Sequence, residues 1–421
     1  MAKKENRHAE HFDKLSASLV SASANIDAPY ELPEGWEWCR LPECVSIVTG
    51  KKDANYGTPD GKYLFFTCAE QPLRCDDYSF EGESLLLPGN GANVGQVIYY
   101  DGQFEVYQRT YVLQKIIESF SLKYLYYHIL GFWENYNHDK QYGSATNYIK
   151  MGNFLNYIFP LPPTLAEQQR IVNRIETMFS KLDQAQEKAQ AVLNSFETRK
   201  AAILHKAFTG QLKIDNEELS IADWEEKKLG DIVNGFKYGV SDKCDYKNDG
   251  IPVLRIPNVG DGTIDFTDLK YSERNNIEEN YIVKENDILI IRSNGSRELV
   301  GKSALYNNTD KQFSYGSFLI KITPSEVVNP KYLVTFLNSD DARNQMVNKA
   351  KSSSGIHNIN TKELFEIKLK LPPLNYQLSI VNFLDSVLEK ESRAKEAAQT
   401  VLDQIALLKK SILARAFRGE L

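Results

Sequence analysis

No stretch of this 421-residue chain approaches 18 apolar residues, so no membrane-spanning helix is expected. The opening Met1-Ala2-Lys3-Lys4-Glu5-Asn6-Arg7 is charged and has no apolar core behind it, so no signal peptide is expected either. Cysteine is scarce, with five residues at 39, 44, 68, 75 and 244 and no Cys-x-x-Cys pair. An odd, unpaired set predicts reduced thiols in a cytoplasmic protein. The spacing of Cys39, Cys44, Cys68 and Cys75 matches no usual zinc knuckle, so no metal is expected. A basic excess is also missing: 50 Lys and Arg stand against 56 Asp and Glu, for a net charge of −6 and a pI near 5.7. That balance excludes a uniformly basic nucleic-acid coat. What is present is 42% hydrophobic and 11% aromatic residues, which excludes a disordered chain and suffices for more than one packed core.

The chain repeats itself. Residues 171–212 and 380–421 both begin Ile-Val-Asn, and they end Ala207-Phe208-Thr209-Gly210-Gln211-Leu212 and Ala416-Phe417-Arg418-Gly419-Glu420-Leu421, an ungapped offset of 209. A Leu-Pro-Pro precedes each block, at 161–163 and 371–373. Ahead of the blocks the match is fainter and its offset drifts: Trp36 with Leu41 against Trp224 with Leu229, Val94-Gly95 against Val300-Gly301, Tyr124-Leu125 against Tyr332-Leu333. Drift of this kind means loop insertions on a common scaffold. The plan is an N-terminal extension (1–30), a variable domain (31–160), a helical block (161–212), a second variable domain (213–370) and a second helical block (371–421).

In the first block Ile171, Ile175, Met178, Leu182, Ala185, Ala189, Val192 and Phe196 advance by alternating steps of four and three, a heptad seam that only a helix presents on one side. The second block offers Ile380, Leu384, Val387, Ala394, Ala398, Val401 and Ile405, interrupted only by Glu391. Pro163 and Pro373 sit where a helix tolerates proline, and Gly210 and Gly419 follow the last periodic residues. Each block predicts a helix roughly 65 Å long. Two such stripes on one chain most simply pack on each other, antiparallel about a pseudo-twofold axis, so that a single chain imitates a symmetric dimer. The alternative is that each stripe packs only on its own domain.

The variable domains predict α/β (α+β) folds. Strand-like runs are Tyr63–Phe66, Ser84–Leu87, Val97–Tyr100 and Thr110–Leu113 in the first copy, and Val253–Ile256, Asp287–Ile291 and Phe318–Ile322 in the second. Helices are expected at Lys123–Tyr136 and Lys331–Lys349.

Catalytic signatures fail on inspection. Gly89-Asn90-Gly91-Ala92-Asn93-Val94-Gly95 has one residue too many for a dinucleotide fingerprint and leads into a strand; Gly295 to Gly301-Lys302-Ser303 misses the phosphate-loop spacing. The six histidines form no metal spacing, and no Ser-His-Asp or Cys-His set stands out. What the domains do carry are amide-rich loops with basic and aromatic residues at matching places in both copies. The first copy offers Lys51, Lys52, Tyr56, Asn90, Asn93, Gln108, Arg109, Thr146 and Asn147; the second offers Lys237, Tyr238, Arg292, Ser293, Asn294, Arg297, His357 and Asn358. Asn, Gln and Arg form bidentate bonds to base edges, whereas Lys, Ser and Thr suit phosphates. Ordinary hairpin turns are the alternative for any one of these positions.

Where Leu161-Pro162-Pro163-Thr164-Leu165-Ala166-Glu167-Gln168-Gln169-Arg170-Ile171-Val172 enters the heptad helix, the sequence resembles the DNA-specificity (S) subunit of type I restriction–modification systems. Leu32-Pro33-Glu34-Gly35-Trp36-Glu37-Trp38 is similar to the opening of that family's first target recognition domain. The second copy departs from the pattern: Leu374-Asn375-Tyr376-Gln377-Leu378-Ser379 keeps only one Gln of Glu-Gln-Gln-Arg. The resemblance implies two target recognition domains, each reading half of a bipartite double-stranded DNA target, with an intramolecular coiled coil setting the spacer. It implies no catalytic residue, cofactor or metal in this chain. Two modification subunits would bring S-adenosylmethionine for adenine methylation, and restriction (motor–nuclease) subunits would bring ATP and magnesium. A coiled-coil scaffold with two protein-binding domains is the alternative function, and an independent enzyme a more distant one.

Overall fold

The strands that read as unbroken apolar runs are buried on both faces, which is why they show no polar alternation. Leu85 and Leu87 enter one core and Leu86, between them, enters another; in the second copy Ile288 and Ile290 face one core, Leu289 and Ile291 the other. The computed structural model describes residues 29–143, 147–214, 217–218, 223–247, 250–274, 276–308, 311–353 and 355–421. It divides the chain into one unit of Met1–Ala189 with Thr400–Leu421 and another of Gln190–Gln399. Each unit therefore owns one α/β domain, the start of one long helix and the end of the other.

In the first unit a four-stranded sheet runs in the order Val45–Thr49, Thr110–Lys115, Ser84–Pro88, Ile98–Tyr100, all antiparallel. A second sheet is ordered Leu73–Cys75, Tyr63–Phe66, Gln103–Val106, Phe80–Glu81, with its central pair parallel. A two-stranded ladder, Glu37–Arg40 with Ile158–Leu161, ties the entry of the domain to its exit. The second unit repeats this plan with Val233–Tyr238, Leu319–Pro324, Ile288–Ile291 and Ser303–Leu305, then adds Gly262–Thr263 as a fifth strand parallel to the last. Its entry–exit ladder is Glu225–Lys228 with Lys368–Leu371.

Gly50 and Gly239 end the first sheet strand of each copy. A Cβ there would lie 1.9 Å from the Val106 carbonyl oxygen and 2.2 Å from that of Tyr315, so only glycine lets the chain cross the neighbouring sheet. The expected helix of the first copy spans Leu122–Asn137. Its counterpart differs from expectation: Pro330–Leu337 stops and Asp340–Lys349 restarts, because Ser339 turns to extended backbone and caps the new helix through the Ala342 N–H. Val253–Ile256 is likewise shortened to the strand Pro252–Leu254, and a 3₁₀ turn follows at Ile256–Asn258, where Pro257 cannot donate to a ladder.

The central helix spans Leu165–Thr209 and the C-terminal helix Leu374–Ala416. Both stop on a left-handed glycine, Gly210 (φ 75°) and Gly419 (φ 74°); the next N–H reaches back to Lys206 O and to Arg415 O at 2.9 and 3.0 Å. Within each unit the helix segments run antiparallel. Lys409 pairs with Asp183 at 2.6 Å and Arg170 donates to Leu421 O at 3.0 Å in one; Arg199 clasps Glu391 at 2.7 Å in the other. Ile171, Ile175, Ala189, Ile380, Leu384, Ala398 and Ile405 are buried, and Met178, Leu182, Val192, Phe196 and Val387 are half-buried. Val401 and Ala394 are exposed, contrary to the heptad reading. The seam instead passes through half-buried Leu402 and through Lys395, whose ammonium lies 4.4 Å from the Phe196 ring centroid. Steps of three and four are interchangeable on a helix, so the periodicity admitted either neighbour.

The retained glutamine has a structural reason. Gln168 is buried, accepts from the Ser121 N–H at 2.8 Å and donates to Ser119 O at 3.4 Å. Gln377 accepts from the Asn329 N–H at 2.7 Å and donates to Pro372 O and Val327 O at 2.9 and 3.1 Å. Ser121 and Asn329 cap the helices Leu122–Asn137 and Pro330–Leu337, so each long helix is bolted at its first turn to the domain before it.

Candidate nucleic-acid interface

In the first unit the strand Ser84–Pro88 runs into Gly89 and Asn90, and the turn after Gln103–Val106 carries Gln108 and Arg109. With Thr49, Tyr111, Tyr148 and Ile149 they line a cleft of about 420 Å³. Gly89 donates its N–H to Arg109 O at 2.8 Å and accepts from the Ile149 N–H at 2.9 Å. A Cβ on Gly89 would stand 2.4 Å from that Arg109 oxygen, so the close approach requires glycine. Arg109 and Gln108 are exposed, Gln108 donating to Asp53 Oδ1 at 2.9 Å. The Asn90 amide oxygen is buried without a partner, and Asn90 bridges to Tyr148. Asn147 is exposed, its carbonyl accepting from the Gly91 N–H at 2.9 Å.

Other predicted residues are placed differently. Lys52 lies 3.8 Å over the Tyr56 ring and pairs with Asp77 at 3.2 Å, while the Tyr56 hydroxyl donates to Asp77 at 2.6 Å. The Tyr56 hydrogen bond, then Lys52, holds the Asp77 carboxyl below its usual range. Asn93 spends its amide on Cys68 O at 2.8 Å and so braces the loop. Lys51 is exposed beside Lys52. Thr146 lies outside the described residues.

The second unit builds the corresponding place from Arg292, Ser293, Asn294, His357, Asn358 and Tyr238. Ser293 and Asn294 pair with Asn358 and His357 in a small antiparallel ladder. Arg292 donates to Asn358 Oδ1 at 3.2 Å and Ser317 O at 3.3 Å, and its guanidinium lies 4.7 Å from the Tyr238 ring centroid. Its Nε is buried without a partner. Backbone bonds fix the equivalence: Arg292 donates to Phe318 O and accepts from Ile359 N–H, as Gly89 does with Arg109 O and Ile149. Each copy thus brings one arginine to the same place, Arg109 from the turn before Thr110–Lys115 and Arg292 from the residue that follows Ile288–Ile291. Ser293 is buried as a ladder residue. Lys237, one residue from Tyr238 on a strand, faces the other side, 4.8 Å from the Tyr281 ring centroid in a separate cleft of about 810 Å³. Arg297 is exposed in the loop beyond.

Sequence reasoning missed Tyr142, Tyr148 and Lys150. The two tyrosine rings stack at 5.5 Å and 26°, both exposed, with Lys150 Nζ 4.2 and 5.6 Å from their centroids. Phe318, 59% exposed where the first copy has Arg109, was also missed. Tyrosine alternating with lysine near the predicted loop at 144–147 was the available signal. Among the described residues no cluster of His, Cys, Asp or Glu could hold a metal ion, and no helix is long and apolar enough to cross a membrane.

Two domains of one sheet plan, each presenting a different set of polar side chains at the same topological position, define a duplicated recognition protein in which the helices are scaffold and the loops vary. Over residues 33–194 and 221–401 the sequence matches the type I restriction modification DNA specificity domain, and the chain belongs to that family. It is 26% identical to the type I restriction enzyme EcoDI specificity subunit of Escherichia coli, over 93% of this chain and 90% of that protein. It is 30% identical to the EcoKI specificity subunit of Escherichia coli K12, over 66% of this chain and 61% of the relative. In fold it is similar to the HsdS subunit from Thermoanaerobacter tengcongensis, with a TM-score of 0.60 and 19% identity over 94% of this chain and 100% of that one. A chain from a study of type I R-M complex assembly and conformational transition matches with a TM-score of 0.71 and 20% identity, covering 93% and 100%.

Proposed function

We propose that this chain supplies DNA sequence specificity to a type I restriction–modification complex in the cytoplasm. Each α/β domain reads one half of a bipartite duplex target, and the paired helices set the unread spacer and dock the partners. Two modification subunits provide S-adenosylmethionine-dependent adenine methylation; restriction subunits provide ATP- and magnesium-dependent cleavage; this chain carries no chemical step of its own. The observation that carries the reading is the double match of the family to a chain whose two copies place different arginine, amide and tyrosine side chains at one topological position.

The chemistry assigns the roles. Arg109, Gln108 and Asn90 in the first unit's cleft, and Arg292, Asn294 and Asn358 at the equivalent place in the second, carry the donors and acceptors that suit base edges; exposed Lys51 and Arg297, and Lys150 beside its two tyrosine rings, suit phosphates. Charge limits what the chain does alone. Residues 1–160 carry 14 Lys and Arg against 20 Asp and Glu, and 213–370 carry 22 against 25. Phosphate neutralisation is therefore local and completed by partner subunits, so binding by the isolated chain is weak and binding by the assembly is strongly salt-dependent.

The test is methylome sequencing of the host with and without this gene while the partner subunits are expressed. A split adenine-methylated motif should vanish on deletion, and Arg109→Ala and Arg292→Ala should each relax one half of it. An unchanged methylome would sink the proposal.

A further inference from the structure

One turn is built twice in this chain with the same hydrogen bonds. In the first unit Gln108 donates its N–H to Lys52 O at 2.9 Å, Thr110 donates to Tyr107 O at 2.9 Å, and Arg109 O accepts from the Gly89 N–H at 2.8 Å. In the second unit Ser317 donates to Val240 O at 2.8 Å, Leu319 donates to Gly316 O at 2.9 Å, and Phe318 O accepts from the Arg292 N–H at 2.9 Å. The strands on either side keep the register, with Thr110 opposite Pro88 and Leu319 opposite Ile291. Arg109 and Phe318 therefore occupy one position of the fold, where the backbone is preserved and the side-chain chemistry is not.

In the first unit this position lines the polar cleft with Arg109. In the second it displays an aromatic ring that is 59% exposed, directly before buried Leu319 and Ile320. The turn that carries the ring is braced from behind. Arg292 binds it through the backbone, and its guanidinium donates to Ser317 O at 3.3 Å and to Asn358 Oδ1 at 3.2 Å while lying 4.7 Å from the Tyr238 ring centroid. Scattered exposed apolar side chains are ordinary on a protein surface. This one is fixed on a braced turn at the place where the other copy presents an arginine to its cleft.

Base edges offer little that an apolar ring can bind. In the major groove the four bases present hydrogen-bonding groups and one apolar group, the 5-methyl of thymine, against which phenylalanine packs. We propose that Phe318 selects a thymine in the half-site of the second domain by covering that methyl group. At the equivalent position of the first domain Arg109 meets a hydrogen-bonding edge, for which guanine is the usual partner of arginine. Phe318 acts in this way only if the domain reads DNA, the role proposed above.

The test uses the full chain assembled with its modification subunits. Methylome sequencing supplies the two half-sites. Competition binding then compares the target duplex with duplexes in which one thymine at a time is replaced by deoxyuridine, which keeps every hydrogen-bonding group and lacks only the methyl. Replacement at one thymine of a single half-site should weaken binding about fourfold, the worth of one buried methyl group. Phe318→Ala should bind the thymine and deoxyuridine forms at that position equally, and Phe318→Leu should keep the preference. The side chain is exposed, so neither variant opens a core, and unchanged reading of the other half-site shows that each is folded. Half-sites in which no thymine responds to replacement overturn the proposal, as does a preference that survives Phe318→Ala. A Phe318→Ala complex that weakens on both duplexes and still prefers thymine would mark the ring as a wedge or a brace, and overturns it too. In these cases Arg109→Ala still relaxes its own half-site, and DNA reading by the chain stands; a methylome unchanged on deletion of the gene removes both.

Discussion

His128 shows how one position is solved in two ways. On the helix Leu122–Asn137 it is buried against the rings of Phe132 and Phe417, at 4.7 and 4.8 Å, and Nδ1 meets the Tyr157 hydroxyl at 2.9 Å. The internally equivalent residues are Phe336 and Ile367, so the second copy fills the same space without a titratable group. Burial pushes the His128 pKa down from 6.5 to about 3. The imidazole is therefore neutral when folded, and its contribution is complete above pH 6.5 and lost as pH falls toward 3. At pH 5 the loss is about 2 kcal/mol. Thermal melts at pH 7.5 and pH 5 should show that loss, and His128→Phe with Tyr157→Ile should remove most of the difference; an unchanged pH dependence would contradict the assignment. Gln377 makes a second point at this scale. Its side chain is buried and satisfies three backbone groups, so Gln377→Ala should cost roughly 1–3 kcal/mol. The exposed neighbour Ser379→Ala should cost far less by chemical denaturation. In the sequence this glutamine was visible only as the lone survivor of a motif; its backbone partners at 327, 329 and 372 are distant or non-periodic, so nothing local announced them.

At the scale of elements, the long helices were legible because a heptad stripe, a preceding proline and a terminal glycine act through neighbours along the chain. Strand cores were legible for the same reason, since burial on both faces leaves an unbroken apolar run. What was not legible depends on contacts across the chain: the break at Ser339, the shift of the seam from Val401 to Leu402, and the arrival of one arginine per domain at the same place from non-equivalent positions, 109 and 292. Glu391 belongs with these. It interrupts the apolar repeat, and its carboxylate accepts three bonds from Arg199 at 3.2, 3.0 and 2.7 Å. By the repeat, Glu391 and Arg199 correspond to Leu182 and Leu408, so one stretch of the helix pair is held by charge where its counterpart carries leucines. Removing one partner should lower stability, because the other charge is left at a half-covered seam. Arg199→Leu with Glu391→Leu reproduces the counterpart pair and should recover that loss. A double-mutant cycle by denaturant melts checks this, and additivity of the two single effects would show that the pair is not coupled.

At the scale of the whole molecule, both long helices run through both units, and each unit carries its own antiparallel pairings: Asp183 with Lys409 in one, Glu197 with Lys395 and Arg199 with Glu391 in the other. An insertion into one helix alone must therefore break one set of pairings or the other. An insertion of four residues in both would rotate each apolar stripe by roughly 40° relative to its own continuation, since 3.6 residues make a turn. Seven residues inserted after Ala189 and seven after Gln399 keep both stripes and both sets of partners, and lengthen each helix by about 10 Å. That is close to three base pairs of duplex at 3.4 Å each. The cleft residues are untouched, so the expected product recognises the same two half-sites separated by a spacer about three base pairs longer. Methylome sequencing of cells carrying the lengthened chain with its partners reads spacer and half-sites together. A changed half-site, or full methylation with the original spacer, would show that the helices do not set the separation of the sequences being read.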